Sequence, residues 1–76
     1  MDKKIFIEKF ANEFPKTPSS EFHINVEYKN LTDWDSLTSL TVMAMIDEEY
    51  NIELNGDDIE RAETINDLYE LIKSKS

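Results

Sequence analysis

The sequence predicts a small all-α protein, a bundle of three to four helices with a long loop between the first and second helices. Three segments carry apolar residues at helical spacing. The chain has one glycine and two prolines, and both prolines fall in the gap between the first two helical segments. Strand-like alternation occurs once, so a strand there would lack a partner. With 76 residues, the chain is expected to form a single domain, 1–76.

The first helix is predicted from Lys3 to Phe14. Its apolar residues fall at i, i+3, i+4 and i+7, which makes one amphipathic stripe of Ile7, Phe10, Ala11 and Phe14. Pro15 ends the helix, because proline has no N–H group to continue the hydrogen-bond ladder.

The segment 15–34 is predicted to be a long loop that lies over the core. Its apolar residues alternate as in a strand, at Phe22, Ile24, Val26 and Tyr28. A lone strand would leave its backbone groups unpaired, so we interpret these side chains as loop residues tucked against the helices.

The second helix is predicted to begin at Asp35 or Ser36 and to end near Tyr50, with Asp35 as its N-cap. A helical wheel places Val42, Met43, Ile46 and Tyr50 on a core face. A second face, partly apolar and partly acidic, carries Leu37, Leu40, Thr41, Ala44, Asp47 and Glu48. A helix with such a second face often presents it to a partner.

Two further helices are predicted after the Asn55-Gly56 turn. The first is short, from Asp57 to Ala62. The last is opened by a capping box from Thr64 to Asp67 and runs to about Lys73, with apolar residues at Ile65, Leu68, Leu71 and Ile72.

The acidic composition of the chain argues against several functions. Seventeen acids against eight bases give a net charge of −9, which argues against nucleic-acid binding and against adsorption to anionic membranes. Between Leu31 and Ile72, twelve acids face one base, Arg61. A field of one sign suits docking on basic patches of other proteins, although it also suits a surface that only maintains solubility.

The cysteine content and the apolar segments of the chain indicate its chemistry and its compartment. The absence of cysteine excludes disulfides and cysteine nucleophiles. No apolar run approaches the roughly 20 residues of a membrane span, and the N-terminus lacks a signal-peptide pattern, so we expect a cytoplasmic protein without membrane insertion.

Catalysis and metal binding are both disfavoured. His23 is the one histidine, no Gly-x-Ser-x-Gly elbow is present, and so small a bundle lacks a catalytic cleft. Residues 51–57 place oxygen-bearing side chains as an EF-hand loop does, but Ala62 stands where a bidentate glutamate is required. We therefore expect no enzyme activity and no metal site.

The tripeptide Asp35-Ser36-Leu37 is the best candidate for a functional site. It places the Ser36 hydroxyl at the N-terminus of a long helix, after a long loop and before an acidic face. A phosphodiester on this hydroxyl would meet free backbone N–H groups and the positive end of the helix dipole.

The chain resembles the acyl carrier proteins over nearly all of its length. The most specific stretch is Trp34-Asp35-Ser36-Leu37, followed by Val-Met-Ala-Met-Ile-Asp-Glu-Glu-Tyr from Val42, which is similar to the family's Asp-Ser-Leu and Met-Ala-Leu-Glu-Glu-Glu-Phe segments. The resemblance implies that Ser36, flanked by Asp35 and Leu37, carries a 4′-phosphopantetheine arm taken from coenzyme A. The thiol of the arm would hold an acyl group as a thioester.

The resemblance also implies partners. These would be a phosphopantetheinyl transferase and acyl-loading and acyl-processing enzymes with basic docking patches, meeting a monomeric carrier. Leu31-Thr32-Asp33-Trp34 departs from the family's commoner Leu-Gly-x before the Asp by an extra residue and a bulky Trp, and Thr38, Ser39 and Thr41 stand where acids are common. We expect Trp34 to plug the loop against the bundle. The alternative is a small acidic helical adaptor without a prosthetic group, in which Asp35 is only a helix cap.

Overall fold

The computed structural model describes all residues from Met1 to Ser76 and confirms an all-α fold. Four α-helices follow one another: α1 (Lys3–Ala11), α2 (Ser36–Tyr50), α3 (Gly56–Arg61) and α4 (Ile65–Lys75). The loop between α1 and α2 contains two 3₁₀ turns, Ser19–Glu21 and Tyr28–Asn30, and no strand. No helix is long and apolar enough to cross a membrane.

Helix α1 is shorter than predicted and its buried stripe is shifted. It ends at Ala11 rather than at Phe14. Pro15 accounts for the non-helical backbone of Phe14, because a proline disfavours helical conformation at the residue before it. Phe14 still reaches the core through a turn in which its N–H donates to the Ala11 carbonyl. Phe6 is fully buried, whereas Ile7 is half-buried, because the Phe6 ring packs between rings from α2 and α4.

The long loop lies over the core, as predicted. The side chains of Phe22 and Tyr28 are buried. Its backbone is fixed by α4, since the Ile65 N–H donates to the Val26 carbonyl (3.1 Å) and the Asn66 N–H donates to the Ile24 carbonyl (2.8 Å). These bonds satisfy donors at the start of α4 that have no acceptor inside the helix.

Helix α2 has the predicted bounds. It ends where Asn51 adopts a left-handed conformation (φ 56°), which asparagine tolerates better than most residues. The predicted core face is partly right: Val42 and Ile46 are fully buried, while Met43 and Tyr50 are half-buried. Met45 and Thr38, which were not assigned to that face, are buried as well.

Capping boxes open both α3 and α4. Asn55 and Asp58 form one at α3, and Thr64 and Asp67 form the predicted one at α4. Helix α4 extends two residues beyond the predicted end and buries Tyr69 in addition to most of its predicted stripe. The core is a single cluster of 17 buried residues and is rich in aromatic rings.

Candidate functional site

Ser36 is the first residue of α2, in the position predicted for it. Asp35 precedes it in extended conformation and acts as the N-cap, its Oδ1 accepting from the Thr38 N–H at 2.8 Å. The Asp35 carbonyl accepts from the Ser39 N–H at 3.0 Å. Asp35 thereby takes up two donors of the first helical turn and leaves the N–H groups of Ser36 and Leu37, which have no acceptor within the helix.

The Ser36 side chain is exposed, and its hydroxyl makes no hydrogen bond with the protein. It borders an open depression of about 440 Å³, lined by Trp34, Asp35, Ser36, Ser39, Leu40 and Glu60. The hydroxyl is therefore accessible to an enzyme, and the adjacent space and free N–H groups fit a phosphodiester with a chain attached. The donor chemistry of the site thus suits a 4′-phosphopantetheine group.

The Ser36 hydroxyl makes no hydrogen bond with an acidic or histidine side chain of this protein, although Glu60 lines the same depression. The hydrogen bond from the Thr38 N–H holds the pKa of the Asp35 carboxyl below its usual range, which makes Asp35 a weaker base. His23 is exposed in the long loop, where its Nδ1 accepts from the Asn25 N–H at 3.3 Å. The structure thus shows no base that is hydrogen-bonded to the hydroxyl, which is the arrangement a general base requires.

The second face of α2 is open to solvent. Leu37 and Leu40 are the most exposed large apolar residues of the chain, at 68% and 60%. Ala44, Asp47 and Glu48 are also exposed, whereas Thr41 is half-buried and its hydroxyl donates to the Thr38 carbonyl. We name Leu37, Leu40, Thr41, Ala44, Asp47 and Glu48 the α2 outer face.

The structure corrects the interpretation of Thr38 as a substitute for a surface acid. Its side chain is buried, and its hydroxyl donates to the Asp33 carbonyl at 2.7 Å. Thr38 therefore belongs to the support of the site and not to the outer face. The comparison with the family's common acids suggested otherwise because it takes no account of the loop residue Asp33, whose carbonyl binds the Thr38 hydroxyl.

Asp33 is a site residue that the sequence did not reveal. It is 7% exposed, and its Oδ2 accepts hydrogen bonds from Lys16 and Thr17 at the far end of the loop. In the sequence, Asp33 was one acid among many in the acidic half of the chain. Only its position between Leu31 and Trp34, both of which pack against the core, hints at burial.

Trp34 packs the loop against the bundle, as expected. Its ring lies parallel to that of Phe14 with centroids 6.2 Å apart, and it meets Tyr28 edge-on at 5.0 Å. It also lines the depression beside Ser36. Trp34 thus connects the core directly to the wall of the site.

Asn55, one of the residues with an EF-hand-like spacing, has another partner in the structure. The side chain of Asn55 accepts from the Asp58 N–H, and the carboxylate of Asp58 accepts from the Asn55 N–H. No group of three or more histidine or acidic side chains is arranged to hold a metal ion. These oxygens serve to cap α3.

Comparison with protein families matches residues 33–72 to the phosphopantetheine attachment site family. The match covers more than half of the chain and spans α2, α3 and most of α4. The chain belongs to this family. Neither a comparison with curated proteins nor one with solved structures gives a significant match.

Family membership answers three of the questions that the sequence raised. The protein is a carrier that holds 4′-phosphopantetheine on a serine, and it is not an enzyme. The alternative of an adaptor without a prosthetic group is therefore wrong. The matched segment contains two serines, Ser36 and Ser39, and of these Ser36 is exposed and Ser39 half-buried.

Proposed function

We propose that Ser36 is the serine that carries 4′-phosphopantetheine and that residues 1–76 form a single acyl carrier domain. The exposed, unbonded hydroxyl of Ser36 at the first position of α2 is the observation that carries this proposal. Ser39 is half-buried within the first turn and offers a transferase less room. When bound, the group supplies a thiol that holds an acyl chain as a thioester.

The residues around Ser36 have separate roles in this proposal. The N–H groups of Ser36 and Leu37 would donate hydrogen bonds to the phosphodiester, whose negative charge the helix dipole also favours. Asp35 holds the first turn together, so that these donors stay fixed. Within the depression, the side chains of Trp34 and Leu40 offer an apolar contact for the first part of the arm, while the other lining residues are polar or charged.

The α2 outer face is proposed as the docking surface for partner enzymes. It combines an apolar patch beside Ser36, formed by Leu37, Leu40 and Ala44, with the acids Asp47 and Glu48 one to two turns further along. Exposed apolar side chains near the centre of an interface usually carry most of the affinity, while charges at its rim set association rate and salt dependence. Partners with an apolar pocket inside a basic patch fit this surface.

The partners proposed are a phosphopantetheinyl transferase and the acyl-loading and acyl-processing enzymes of fatty-acid, polyketide or related biosynthesis. A monomeric carrier in the cytoplasm suits this role, and both properties remain predictions from the sequence. The net charge of −9 supports transient contacts with basic proteins rather than with nucleic acid.

A loading experiment tests the attachment site. The purified protein is incubated with coenzyme A and a broad-specificity phosphopantetheinyl transferase, and intact mass is measured with time. We expect the wild type to gain one phosphopantetheinyl unit, Ser39→Ala to do the same, and Ser36→Ala to gain none while its circular dichroism stays helical. Loading of Ser36→Ala would overturn the proposal.

A further inference from the structure

Asp33 joins three parts of the chain beside the N-terminus of α2. Its Oδ2 accepts hydrogen bonds from the Lys16 N–H (2.8 Å), the Thr17 N–H (3.0 Å) and the Thr17 hydroxyl (3.2 Å). Its backbone carbonyl accepts from the Thr38 hydroxyl at 2.7 Å. The turn that follows α1, the end of the long loop and the first turn of α2 are thus connected through one residue.

Burial of the Asp33 side chain lowers the stability of the folded state. Asp33 is 7% exposed, and its second oxygen, Oδ1, is buried without a hydrogen-bond partner in the protein. An unpaired buried oxygen of this kind destabilises the folded state. The three donors on Oδ2 offset that cost, so the same bonds that compensate the buried anion also fix the loop to the turn after α1.

The loop end that Asp33 fixes leads directly to Ser36. Two residues separate them: Trp34, whose ring packs on Phe14 and Tyr28, and Asp35, which caps α2. Without the Asp33 bonds, this segment would keep the ring contacts of Trp34 but lose its polar connection to the turn after α1. The position of the first turn of α2 against the loop would then depend on Trp34, the Asp35 cap and the bond from the Thr38 hydroxyl to the Asp33 backbone carbonyl.

We propose that Asp33 is a positioning residue for the modification of Ser36, holding segment 33–36 in the one conformation in which the hydroxyl is presented to the transferase. The proposal rests on Ser36 being the attachment serine. A transferase that binds only this conformation has its apparent affinity reduced by the fraction of molecules that leave it. Loss of the charged hydrogen bonds should therefore raise KM and leave kcat nearly unchanged.

Three variants separate positioning from general stability. Asp33→Ala removes all three acceptor contacts, and Asp33→Asn keeps one oxygen for the same donors. Asp2→Ala is the matched control, because Asp2 is also an aspartate that accepts a backbone N–H, from Ile5 at 3.0 Å, but it caps α1. We expect a rise in KM for loading of about tenfold in Asp33→Ala and less than about threefold in the other two variants.

Trp34 gives a second measurement that does not depend on loading. It is the one tryptophan of the chain, and its ring is half-buried against the core. In Asp33→Ala we expect its emission to shift to the red and its quenching by acrylamide to increase, at temperatures where circular dichroism shows intact helices. Asp2→Ala should leave both signals at their wild-type values.

Several results would overturn the proposal. It fails if Asp33→Ala loads like the wild type, if Asp2→Ala loses as much loading as Asp33→Ala, or if Trp34 is unchanged in Asp33→Ala. If Asp33→Ala does not fold, Thr38→Val is the deciding variant, because it removes only the hydroxyl that is bonded to the Asp33 carbonyl. The KM for loading of Thr38→Val should rise severalfold, and a KM equal to that of the wild type would refute the positioning role. A wild type that is not loaded at Ser36 refutes the proposed function itself, a result distinct from any of these.

Discussion

Replacing Tyr28 with phenylalanine removes a single hydroxyl from the part of the long loop that holds α3. The Tyr28 side chain is fully buried, and its hydroxyl is shared between two backbone carbonyls at the end of α3, those of Ile59 (2.8 Å) and Ala62 (3.2 Å). The Glu63 N–H, which could otherwise satisfy the Ile59 carbonyl, donates to Asp67. The variant therefore leaves buried acceptors without a donor and creates no large cavity.

The cost follows from these contacts. Leaving a buried acceptor unsatisfied costs about 1–3 kcal/mol, so we expect the free energy of unfolding to fall by about 2 kcal/mol. For a domain of this size, that loss lowers the melting temperature by about 8–16 °C. Tyr69→Phe is the matched control. The Tyr69 hydroxyl donates to the carbonyl of Met1, a half-exposed residue, so water can satisfy that carbonyl in the variant. The free energy of unfolding of Tyr69→Phe should therefore fall by less than about 1 kcal/mol.

Alkaline pH provides an independent check on the same hydroxyl. Burial raises the pKa of Tyr28 well above its ordinary value, and the nearby charges of Asp67 and Glu60 raise it further. A raised pKa in the folded state gives stability that is fully present below the unfolded pKa of about 10 and is lost as pH rises above it. The stability of the wild type should fall by up to about 1.4 kcal/mol per pH unit more steeply than that of Tyr28→Phe above pH 10.

Urea unfolding followed by circular dichroism measures both effects, at pH 7.5 and at two values above pH 10. The half-buried Tyr50, whose pKa is also raised by partial burial, is present in both proteins, so its contribution cancels in the comparison. The reasoning is refuted if Tyr28→Phe is as stable as the wild type at pH 7.5, or if Tyr69→Phe loses as much free energy of unfolding as Tyr28→Phe does. It is also refuted if the difference in free energy of unfolding between the wild type and Tyr28→Phe does not become smaller above pH 10.

Two further predictions concern the acidic surface. Of the twelve acids between Leu31 and Ile72, only Glu49 forms an ion pair, with Lys9. Because added salt screens repulsion among the others, the melting temperature should rise when sodium chloride or millimolar magnesium is added at neutral pH. A melting temperature that stays flat or falls would show that the acids are compensated individually. On the α2 outer face, Leu37→Ala should reduce the rate of loading by the transferase more than Asp47→Asn does. The effect of Asp47→Asn on that rate should become smaller at high salt. Wild-type loading rates for both variants would show that this face is not the docking surface.

The helices were largely predictable from the sequence because their signals are local. The Asp35 cap, the capping box from Thr64 to Asp67 and the uninterrupted run to Tyr50 each act within a few residues, and the structure has all three. The side of α1 that is buried depended instead on distant partners. Phe6 and Ile7 are both compatible with the periodicity, and the rings of Tyr50 and Tyr69 decide in favour of Phe6.

The position of Ser36 was predictable for the same local reason, but its supports were not. The bonds of Asp33 to Lys16 and Thr17 span 16 to 17 residues, and those of Tyr28 to α3 span more than 30. No pattern of spacing or charge marks such contacts in a single sequence. The sequence therefore predicted that the long loop lies over the core, but not that it holds α3 and the segment before Ser36 in place.

The most direct test of the central claim is the mass of the protein isolated from its native cell, followed by fragmentation of the peptide that contains both Ser36 and Ser39. We predict a phosphopantetheinyl group, free or carrying an acyl chain, on Ser36, and the acyl mass would identify the cargo. A native protein whose group is on Ser39, or one that is entirely unmodified, would contradict the claim that this chain carries acyl groups through Ser36.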